Sequence, residues 1–401
     1  MTSDWKEYKL KDVLREKGYI RGPFGSALKR GELKNSGIPV YEQQHAIYNN
    51  RVFRFFIDDK KYAEMKRFSV ETNDLLISCS GTVGKVTIIK ETDPRGIISQ
   101  ALLTLRADNS IILPLYLKYF FESNEGYNSI ISRSSGSVQV NIAKREVIEN
   151  IPIKLPDLET QRKIVRVLSA IDDKIELNNS INKNLEQQIK SIYKNSFNNC
   201  SNLIDISDLI DVRDGTHDSP KPQSKGKKLI TSKHLLKYGV DTLSANLISE
   251  ADYEKINERS RVETNDILIS MIGTVGIVSY IIENPVYFAV KNVGIYRTSQ
   301  KPEYSYYIHC YLNSTETQNY ILSHLAGTTQ KYISLSELRT LKINIPNQSE
   351  LENFNKLVKP MYDNIINLTK ENERLTQLRD TLLPKLMNGE IDVNQVKIQM
   401  G

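Results

Sequence analysis

The chain contains the segment Asn73-Asp-Leu-Leu-Ile-Ser-Cys-Ser-Gly-Thr-Val-Gly-Lys-Val86, and 192 residues later it contains Asn265-Asp-Ile-Leu-Ile-Ser-Met-Ile-Gly-Thr-Val-Gly-Ile-Val278. In both copies a short apolar run, Leu75–Ser78 or Ile267–Ser270, stands between turn-forming residues, which predicts a buried strand. The Gly-Thr-Val-Gly sequence that follows predicts a tight turn into a second strand. Two copies of one strand–turn–strand unit indicate a duplicated domain.

Three further pairs of segments extend this repeat. They are Gly37-Ile-Pro-Val-Tyr-Glu-Gln-Gln-His45 with Gly226-Lys-Lys-Leu-Ile-Thr-Ser-Lys-His234, Gly136-Ser-Val-Gln139 with Gly327-Thr-Thr-Gln330, and Ile151-Pro-Ile-Lys-Leu-Pro156 with Leu341-Lys-Ile-Asn-Ile-Pro346. The offset stays between 189 and 193 residues, which is too long a period for a solenoid. We therefore predict two mixed α/β domains, domain one at residues 1–156 and domain two at residues 201–346. Helices are expected near residues 114–121 and 304–312.

The connecting segments, residues 157–200 and 347–401, carry a different pattern. Their apolar positions alternate in spacing between four and three residues over four heptads in each copy. This pattern favours a coiled coil over a plain amphipathic surface helix. The predicted seam consists of Ile164, Leu168, Ile171, Ile175, Asn178, Asn182, Leu185, Ile189, Ile192, Phe354, Val358, Met361, Ile365, Leu368, Asn372, Leu375 and Leu382, with Arg379 at one further position. Asparagines in such a seam are expected to fix register and orientation at a cost in stability.

The path of the chain sets the orientation of the two helices. The second helix leaves domain two and can pair with the first only by running back, so the pair is antiparallel. From Ile164 to Ile192 the seam is about 42 Å long at 1.5 Å per residue, while one turn of DNA is roughly 34–36 Å. We predict an α+β protein in which two pseudo-symmetric domains are separated by two long antiparallel coiled-coil helices, a rod able to hold two DNA-reading domains about one turn apart.

The charge of the chain permits a nucleic-acid partner without establishing one. The 401 residues include 54 Lys and Arg against 48 Asp and Glu, a net charge of +6. Domain one holds 24 basic and 18 acidic residues and domain two holds 16 of each, with six lysines and no acid between Lys221 and Lys237. The three cysteines are far apart, the start is too polar for a signal peptide and no apolar run is long enough for a membrane span. We therefore expect a soluble cytoplasmic protein.

Several catalytic chemistries lack their motifs. Asn284-Pro-Val-Tyr287 lacks the second proline of an adenine methyltransferase motif, and no Gly-x-Gly-x-x-Gly follows a strand. Gly81-Thr-Val-Gly-Lys85 lacks the spacing and the hydroxyl residue of a phosphate-binding loop. The five histidines show no metal-ligand spacing, and the acids at 172 and 173 are expected to be solvated flanks of the helix. We therefore predict no catalytic residue and no metal site.

Taken together, these features resemble the specificity subunit of type I restriction–modification systems. The resemblance is carried by Gly22-Pro-Phe-Gly-Ser26, Asp214-Gly-Thr-His-Asp-Ser-Pro220, the paired Gly-Thr-Val-Gly turns and Thr381-Leu-Leu-Pro-Lys-Leu-Met-Asn-Gly-Glu-Ile391. It implies two target-recognition domains that each read half of a split site in double-stranded DNA, and helices that act as a spacer and dock two modification subunits. It further implies that those subunits methylate adenine N6 with S-adenosylmethionine, that restriction (translocase) subunits use ATP and Mg, and that this chain holds no cofactor.

Base reading requires side chains that donate or accept hydrogen bonds at groove edges, and phosphates attract lysine and arginine. On this basis the candidate DNA-binding residues of domain one are Ser26, Lys29, Gln43, Gln44, His45, Ser80, Thr82, Lys85, Arg133, Ser134, Ser137 and Gln139. Those of domain two are His217, Asp218, Ser219, Lys221, Thr231, Ser232, Lys233, His234, Thr274, Lys291, Asn292, Thr328, Thr329, Gln330 and Lys331. For the equivalent pair His45 and His234, a shared structural role is the alternative to a DNA-facing one.

Two other functions are compatible with the same architecture. One is a coiled-coil scaffold with two protein-binding domains and no role on DNA. The other is a free-standing duplicated regulator that binds an operator by itself. A non-catalytic DNA-specificity subunit remains the favoured interpretation, because the order of the motifs, their duplication and the interleaved helices agree with it together.

Overall fold

The computed structural model describes residues 5–24, 27–134, 140–197 and 203–395. These residues form two compact units: unit one comprises residues 1–175 and 374–401, and unit two comprises residues 176–373. Each unit contains one of the duplicated domains and one part of each long helix. The candidate DNA-binding residues Ser26, Ser137 and Gln139 lie outside the described residues.

The strands and helices of domain one follow one another in mixed order. They are β1 (Lys6–Lys9), β2 (Leu14–Arg21), β3 (Ile38–Tyr41), α1 (Gln43–Tyr48), β4 (Phe56–Ile57), α2 (Asp59–Glu64), β5 (Leu75–Ser78), β6 (Val86–Ile88), β7 (Ile97–Ile98), β8 (Leu102–Ala107), α3 (Pro114–Glu122), α4 (Asn124–Ile131), α5 (Arg145–Glu149) and β9 (Pro152–Leu155). The first long helix, α6 (Leu158–Ser196), comes next.

Domain two repeats this order with small changes in the connections. Its elements are β10 (Leu203–Asp205), α7 (Ile206–Leu209), β11 (Val212–Asp214), β12 (Lys227–Ile230), β13 (Asn246–Ile248), α8 (Glu250–Ser260), β14 (Ile267–Ser270), β15 (Val278–Tyr280), β16 (Phe288–Val290), β17 (Val293–Tyr296), α9 (Ser305–Leu312), α10 (Thr315–Ser323), α11 (Leu335–Arg339) and β18 (Lys342–Asn344). The second long helix is α12 (Gln348–Met387).

The two domains have the same sheet topology. Domain one has a four-stranded sheet of order β2-β8-β5-β6, a three-stranded sheet of order β4-β3-β7 and the pair β1-β9. Domain two has β11-β17-β14-β15, β13-β12-β16 and β10-β18. The strand register also agrees: Leu76 pairs with Thr104 in domain one, and the equivalent Leu268 pairs with Ile295 in domain two. The predicted duplication of a mixed α/β domain is therefore confirmed at the level of individual strand pairs.

The repeated Asn-Asp-apolar segment lies at the centre of each sheet. Both asparagines, Asn73 and Asn265, adopt a φ of +72°, a left-handed conformation that asparagine tolerates better than most residues. The aspartates that follow are fully buried: Asp74 accepts the amide N–H of Glu71 and pairs with Arg106, and the equivalent Asp266 accepts a backbone N–H in the same way. Burial raises the pKa of both carboxyl groups.

The strands after these aspartates are covered on both faces. In β5, Leu75 and Ile77 pack into the core cluster that includes α3 and α6, whereas Leu76 packs into a second cluster on the opposite face of the sheet. In β14, Ile267 and Ile269 likewise pack into one core cluster and Leu268 packs into another on the opposite face of the sheet. A strand buried on both faces reads as a continuous apolar run, which is why the four-residue pattern was recognisable in the sequence.

The two long helices pair in an antiparallel sense within each unit. In unit two, Asn178 donates to Asn372, while Tyr193 further along α6 contacts Phe354 earlier in α12. In unit one, Arg379 donates to Asp172 at 3.2 Å. Every predicted seam residue is buried or half-buried, including Leu168, Val358 and Ile365 at 0 % exposure. The predicted α+β fold with antiparallel coiled-coil helices is confirmed.

The end of α12 packs into unit one. Leu383, Leu386 and Met387 belong to the core cluster that contains Ile153 and Leu155 of β9. These three side chains of the helix end are therefore part of the core of domain one.

Candidate nucleic-acid interface

The turn between the two central strands has one geometry in both domains. Gly81 and Gly273 have φ values of +67° and +82°, which L-residues other than glycine rarely adopt. Their amide N–H groups donate to Val140 and Lys331, carbonyl oxygens of a loop far along the chain. The serine hydroxyl that ends β5 or β14 accepts the N–H of the residue after the turn, at 2.9 and 2.8 Å. These bonds hold the turn rigidly and leave Thr82 and Thr274 exposed at its tip.

A groove of about 650 Å³ in domain one brings separate candidates together. Its lining includes Gln43 and Gln44 at the start of α1 and Thr82 of the turn. It also includes groups that the sequence had not singled out: Arg30, Tyr48, Arg54, Ser99 and Gln100. Amide, hydroxyl and guanidinium groups side by side are the chemistry that reads base edges and holds phosphates.

A second groove of domain one, about 610 Å³, contains none of the candidate DNA-binding residues selected from the sequence. The groove is lined by Arg21, Arg67, Lys144 and Arg145 together with Phe24, a residue that is 69 % exposed. The motif Gly22-Pro-Phe-Gly-Ser26 was a signal for part of it. The other cations come from segments that are distant in sequence, so no local pattern could have assembled them.

The two equivalent histidines are buried rather than exposed. His45 is 0 % exposed, its Nδ1 accepts the N–H of Glu42, and its Nε2 lies 3.0 Å from the carbonyl oxygen of Val52. His234 is 2 % exposed, and its Nδ1 accepts the N–H of Thr231. Burial lowers the pKa of both rings, which favours the neutral form. A buried ring cannot reach a base in this conformation, so the structure supports the loop-shaping role and not the DNA-facing one.

The remaining described candidates of domain one are on the surface or half-buried. Lys85 is exposed, with its ammonium group 5.0 Å from the ring centroid of Tyr127. Ser80 donates to the side chain of Asn141. Arg133 and Ser134 donate to carbonyl oxygens of α4, and the exposed Lys29 uses its backbone N–H to bind Glu32.

In domain two, several candidates gather around the buried carboxylate of Asp214. Nε2 of His217 lies 2.8 Å from Asp214 and its Nδ1 lies 2.9 Å from Oδ1 of Asn292, while Arg259 pairs with the same carboxylate. Asn292 has a φ of +54° and its carbonyl oxygen accepts the hydroxyl of Ser232. Lys291 donates to Ser219 at 2.5 Å, and Asp218 lies 3.8 Å from Lys255. The structure therefore joins candidates from three separate segments into one polar cluster.

The six lysines between Lys221 and Lys237 divide into two kinds. Three are engaged within unit two: Lys227 faces the rings of Tyr253 and Tyr287, Lys228 donates to a carbonyl oxygen, and Lys237 pairs with Glu186. The other three, Lys221, Lys225 and Lys233, are exposed and have no ion pair or hydrogen bond of their ammonium groups within the described residues. These three are the members of the run that remain available to phosphates.

The last candidate loop of domain two projects from a short antiparallel bridge between Ala326 and Tyr332. Its candidates Thr328, Thr329, Gln330 and Lys331 are all exposed. The carbonyl oxygen of Lys331 accepts the N–H of Gly273, so this loop lies beside the turn that carries Thr274. Thr231, the remaining candidate, is half-buried beside His234.

The described residues show neither a metal cluster nor a membrane-spanning helix. In residues 5–24, 27–134, 140–197 and 203–395, no group of three or more His, Cys, Asp or Glu side chains is arranged to hold a metal ion. Within the same ranges, no helix combines the length and the apolarity that crossing a membrane requires.

Comparison with known proteins connects this geometry to a family. A family model described as "Type I restriction modification DNA specificity domain" matches twice, at residues 2–187 and 208–377. The chain belongs to the type I restriction–modification DNA specificity family. The two matches correspond to the two duplicated domains with their helices, so the family predicted from the sequence is confirmed.

Full-length relatives agree with this assignment. The specificity subunit is 26 % identical to the type I restriction enzyme MjaIX specificity subunit of Methanocaldococcus jannaschii, with 99 % of this chain and 95 % of the relative covered. It is 22 % identical to the HindI specificity subunit of Haemophilus influenzae, covering 97 % and 100 %. The solved structure of an S subunit from M. genitalium has the same fold, with a TM-score of 0.56 at 16 % identity, covering 95 % and 96 % of the two chains. By family, the chain is a DNA-recognition subunit and not the catalytic component.

Proposed function

We propose that each domain of this specificity subunit reads one half of a bipartite site in double-stranded DNA. The observation that carries the proposal is a shared backbone with different side chains. Strand order, register and the glycine turn agree between the domains, whereas the surface groups at equivalent positions do not. Gln44, Lys85 and Arg133 of domain one stand where domain two has Lys233, Ile277 and His324. One scaffold with two sets of groove-reading groups suits two different half-sites.

The two long helices would set the spacing of the half-sites and dock two modification subunits. An unbroken α6 of 39 residues and an α12 of 40 residues support a spacer function. Leu177 and Leu357 are each 55 % exposed and Leu378 is 47 % exposed, although all three lie on helices whose seam is already filled. Apolar side chains outside a seam are suited to contacts with a further protein.

The chemistry would be supplied by other subunits of the complex. Modification subunits would use S-adenosylmethionine to methylate adenine N6, and restriction subunits would use ATP and Mg, whereas this chain would hold no cofactor. Such a complex would act in the cytoplasm, where it meets incoming double-stranded DNA.

Reconstitution with adenine methyltransferase (modification) subunits tests this proposal. We expect no methylation by the chain alone, and methylation of adenines in both halves of one gapped site by the assembled complex. Footprinting without sequence preference by that complex would instead support a protein-binding scaffold. Tight operator binding by the isolated chain, with no effect of the methyltransferase subunits, would support a regulator.

A further inference from the structure

The chain passes the edge of the four-stranded sheet in the same way in both domains. A Cβ atom at Gly22 would lie 2.0 Å from the carbonyl oxygen of Ser99, and one at Gly215 would lie 2.3 Å from that of Val290. Both separations are far inside van der Waals contact, so only glycine fits. The N–H of each glycine also donates to the neighbouring strand at 2.9 Å. Phe24 and His217 therefore each follow, two residues later, a glycine that is held in the same way.

Two positions after each glycine, the domains carry different chemistry. Domain one has Phe24, a residue that is 69 % exposed. Domain two has His217, whose side chain is 63 % exposed and whose two ring nitrogens are held by Asp214 and Asn292. The equivalent position thus presents an apolar ring in one domain and a hydrogen-bonded polar ring in the other.

The surroundings of Phe24 indicate what its ring contacts. The guanidinium carbon of Arg21 lies 5.8 Å from the centroid of the Phe24 ring. Nη1 of Arg21 is buried and has no hydrogen-bond partner among the described residues. Arg67 and Lys144 line the same groove. DNA offers anionic phosphates for these cations and, between them, apolar base surface for the ring.

We propose that Phe24 is a specificity-determining residue that packs against the bases of the half-site read by domain one, while Arg21, Arg67 and Lys144 hold the flanking phosphates. The base feature that suits it is the 5-methyl group of thymine. His217 gives the equivalent position of domain two a polar surface, so the two half-sites are selected by different contacts at this position. The inference rests on the proposed function and specifies the residues that carry it.

The test uses the full chain assembled with its modification subunits and a DNA library with both half-sites randomised. Phe24→Ala should lower affinity for the preferred site about tenfold, the typical effect of one wrong base pair. The complex that carries Phe24→Ala should lose its base preference at only one or two adjacent base pairs of one half-site. Val52→Ala is the matched control, because Val52 is 71 % exposed in the same domain and does not line the groove.

Two further measurements separate base contact from general binding. Replacing the selected thymine by uracil removes only the methyl group and should weaken wild-type binding about fourfold. The same replacement should have no effect on Phe24→Ala. In domain two, His217→Phe should create a new apolar preference in the other half-site.

Clear results would overturn the inference. If the wild-type complex selects a bipartite site but Phe24→Ala leaves that selection unchanged, or weakens all sequences equally, Phe24 does not determine specificity. If the wild-type complex shows no sequence preference at all, the proposed function fails and the inference fails with it. Thermal unfolding of each variant confirms folding, which the exposure of the Phe24 side chain leads us to expect.

Discussion

The hydroxyl of Tyr119 in α3 donates a 2.9 Å hydrogen bond to Oδ2 of Asp172 in the long helix α6. His309 and Tyr362 occupy the positions 190 residues after Tyr119 and Asp172, and Nδ1 of His309 lies 2.7 Å from the hydroxyl of Tyr362 in α12. The same place in each domain is thus linked to a long helix, through a hydrogen bond to a carboxylate in unit one and through a hydrogen bond between two buried aromatic side chains in unit two.

Removal of the carboxylate should loosen the attachment in unit one. Asp172 also accepts from Lys118 and Arg379, so Asp172→Ala leaves two half-buried cations without this partner. We expect a loss of about 2–3 kcal/mol in the stability of unit one, measured by hydrogen exchange of α3 and α6. The neighbouring Asp173→Ala removes an exposed carboxylate and should change exchange little; equal effects of the two variants would contradict this role.

The buried imidazole of unit two should make stability depend on pH. Burial, with a smaller effect of Lys237, lowers the pKa of His309 from 6.5 to about 3. Below about pH 6.5 this imidazole binds a proton in the unfolded chain but stays neutral in the folded chain. The free energy of unfolding therefore falls as the pH drops from 6.5 towards 3. At pH 5 the protonation of His309 in the unfolded chain lowers the free energy of unfolding by about 2 kcal/mol.

The variant His309→Gln isolates this contribution from that of the buried carboxyl groups. Its free energy of unfolding should change less between pH 8 and pH 5 than that of the wild type, by about the same 2 kcal/mol. Denaturant titrations at several pH values provide the comparison. Parallel pH profiles for the two proteins would show that His309 does not titrate in this way.

The asparagines of the seam should behave as one unit. Asn178 donates to Glu371 and Asn372, and Asn372 donates to Asn179. Asn178→Leu alone leaves Oδ1 of the half-buried Asn372 without its donor and should cost about 1–3 kcal/mol. The double variant Asn178→Leu/Asn372→Leu replaces both amides by apolar groups and should recover most of that loss. Additive losses in a double-mutant cycle would rule out a coupled layer.

The free lysines of domain two should contribute to the salt dependence of DNA binding. Replacing Lys221, Lys225 and Lys233 together by Gln removes up to three phosphate contacts. The slope of log K against log salt should then become shallower by about 2–3, since each contact contributes roughly 0.9. Lys342→Gln serves as control, because Lys342 is paired with Asp205. An unchanged slope in the triple variant would place these lysines away from DNA.

Matched shortening of both helices tests the spacer function. Deleting residues 176–182 of α6 and 368–374 of α12 removes one heptad from each, about 10 Å at 1.5 Å per residue. The gap between the half-sites should shrink by about three base pairs, as read from the methylated sites. Deletion from α6 alone should disrupt the seam. A gap of unchanged length after the matched deletion would exclude the helices as a ruler.

Much of the fold was predictable because it rests on local patterns. Leu75, Leu76 and Ile77 are all apolar because both faces of β5 are covered, and the seam residues repeat over four heptads. The interface was less predictable, because exposure is decided by packing between distant segments. His45 has the right chemistry for a base contact but is enclosed by its own loop. Arg67 and Lys144 carry no motif, yet they line a groove with Phe24.

The glycine at the sheet edge has a consequence for how this protein can change over evolutionary time. Since Gly22 and Gly215 are held by backbone contacts alone, the side chain two positions later can be exchanged without rebuilding the sheet beneath it. Phe24 and His217 show that two different side chains occupy this equivalent position in the two domains of one chain. If Phe24 determines specificity as proposed, a single codon change at this position changes the target sequence while the backbone of both domains stays the same.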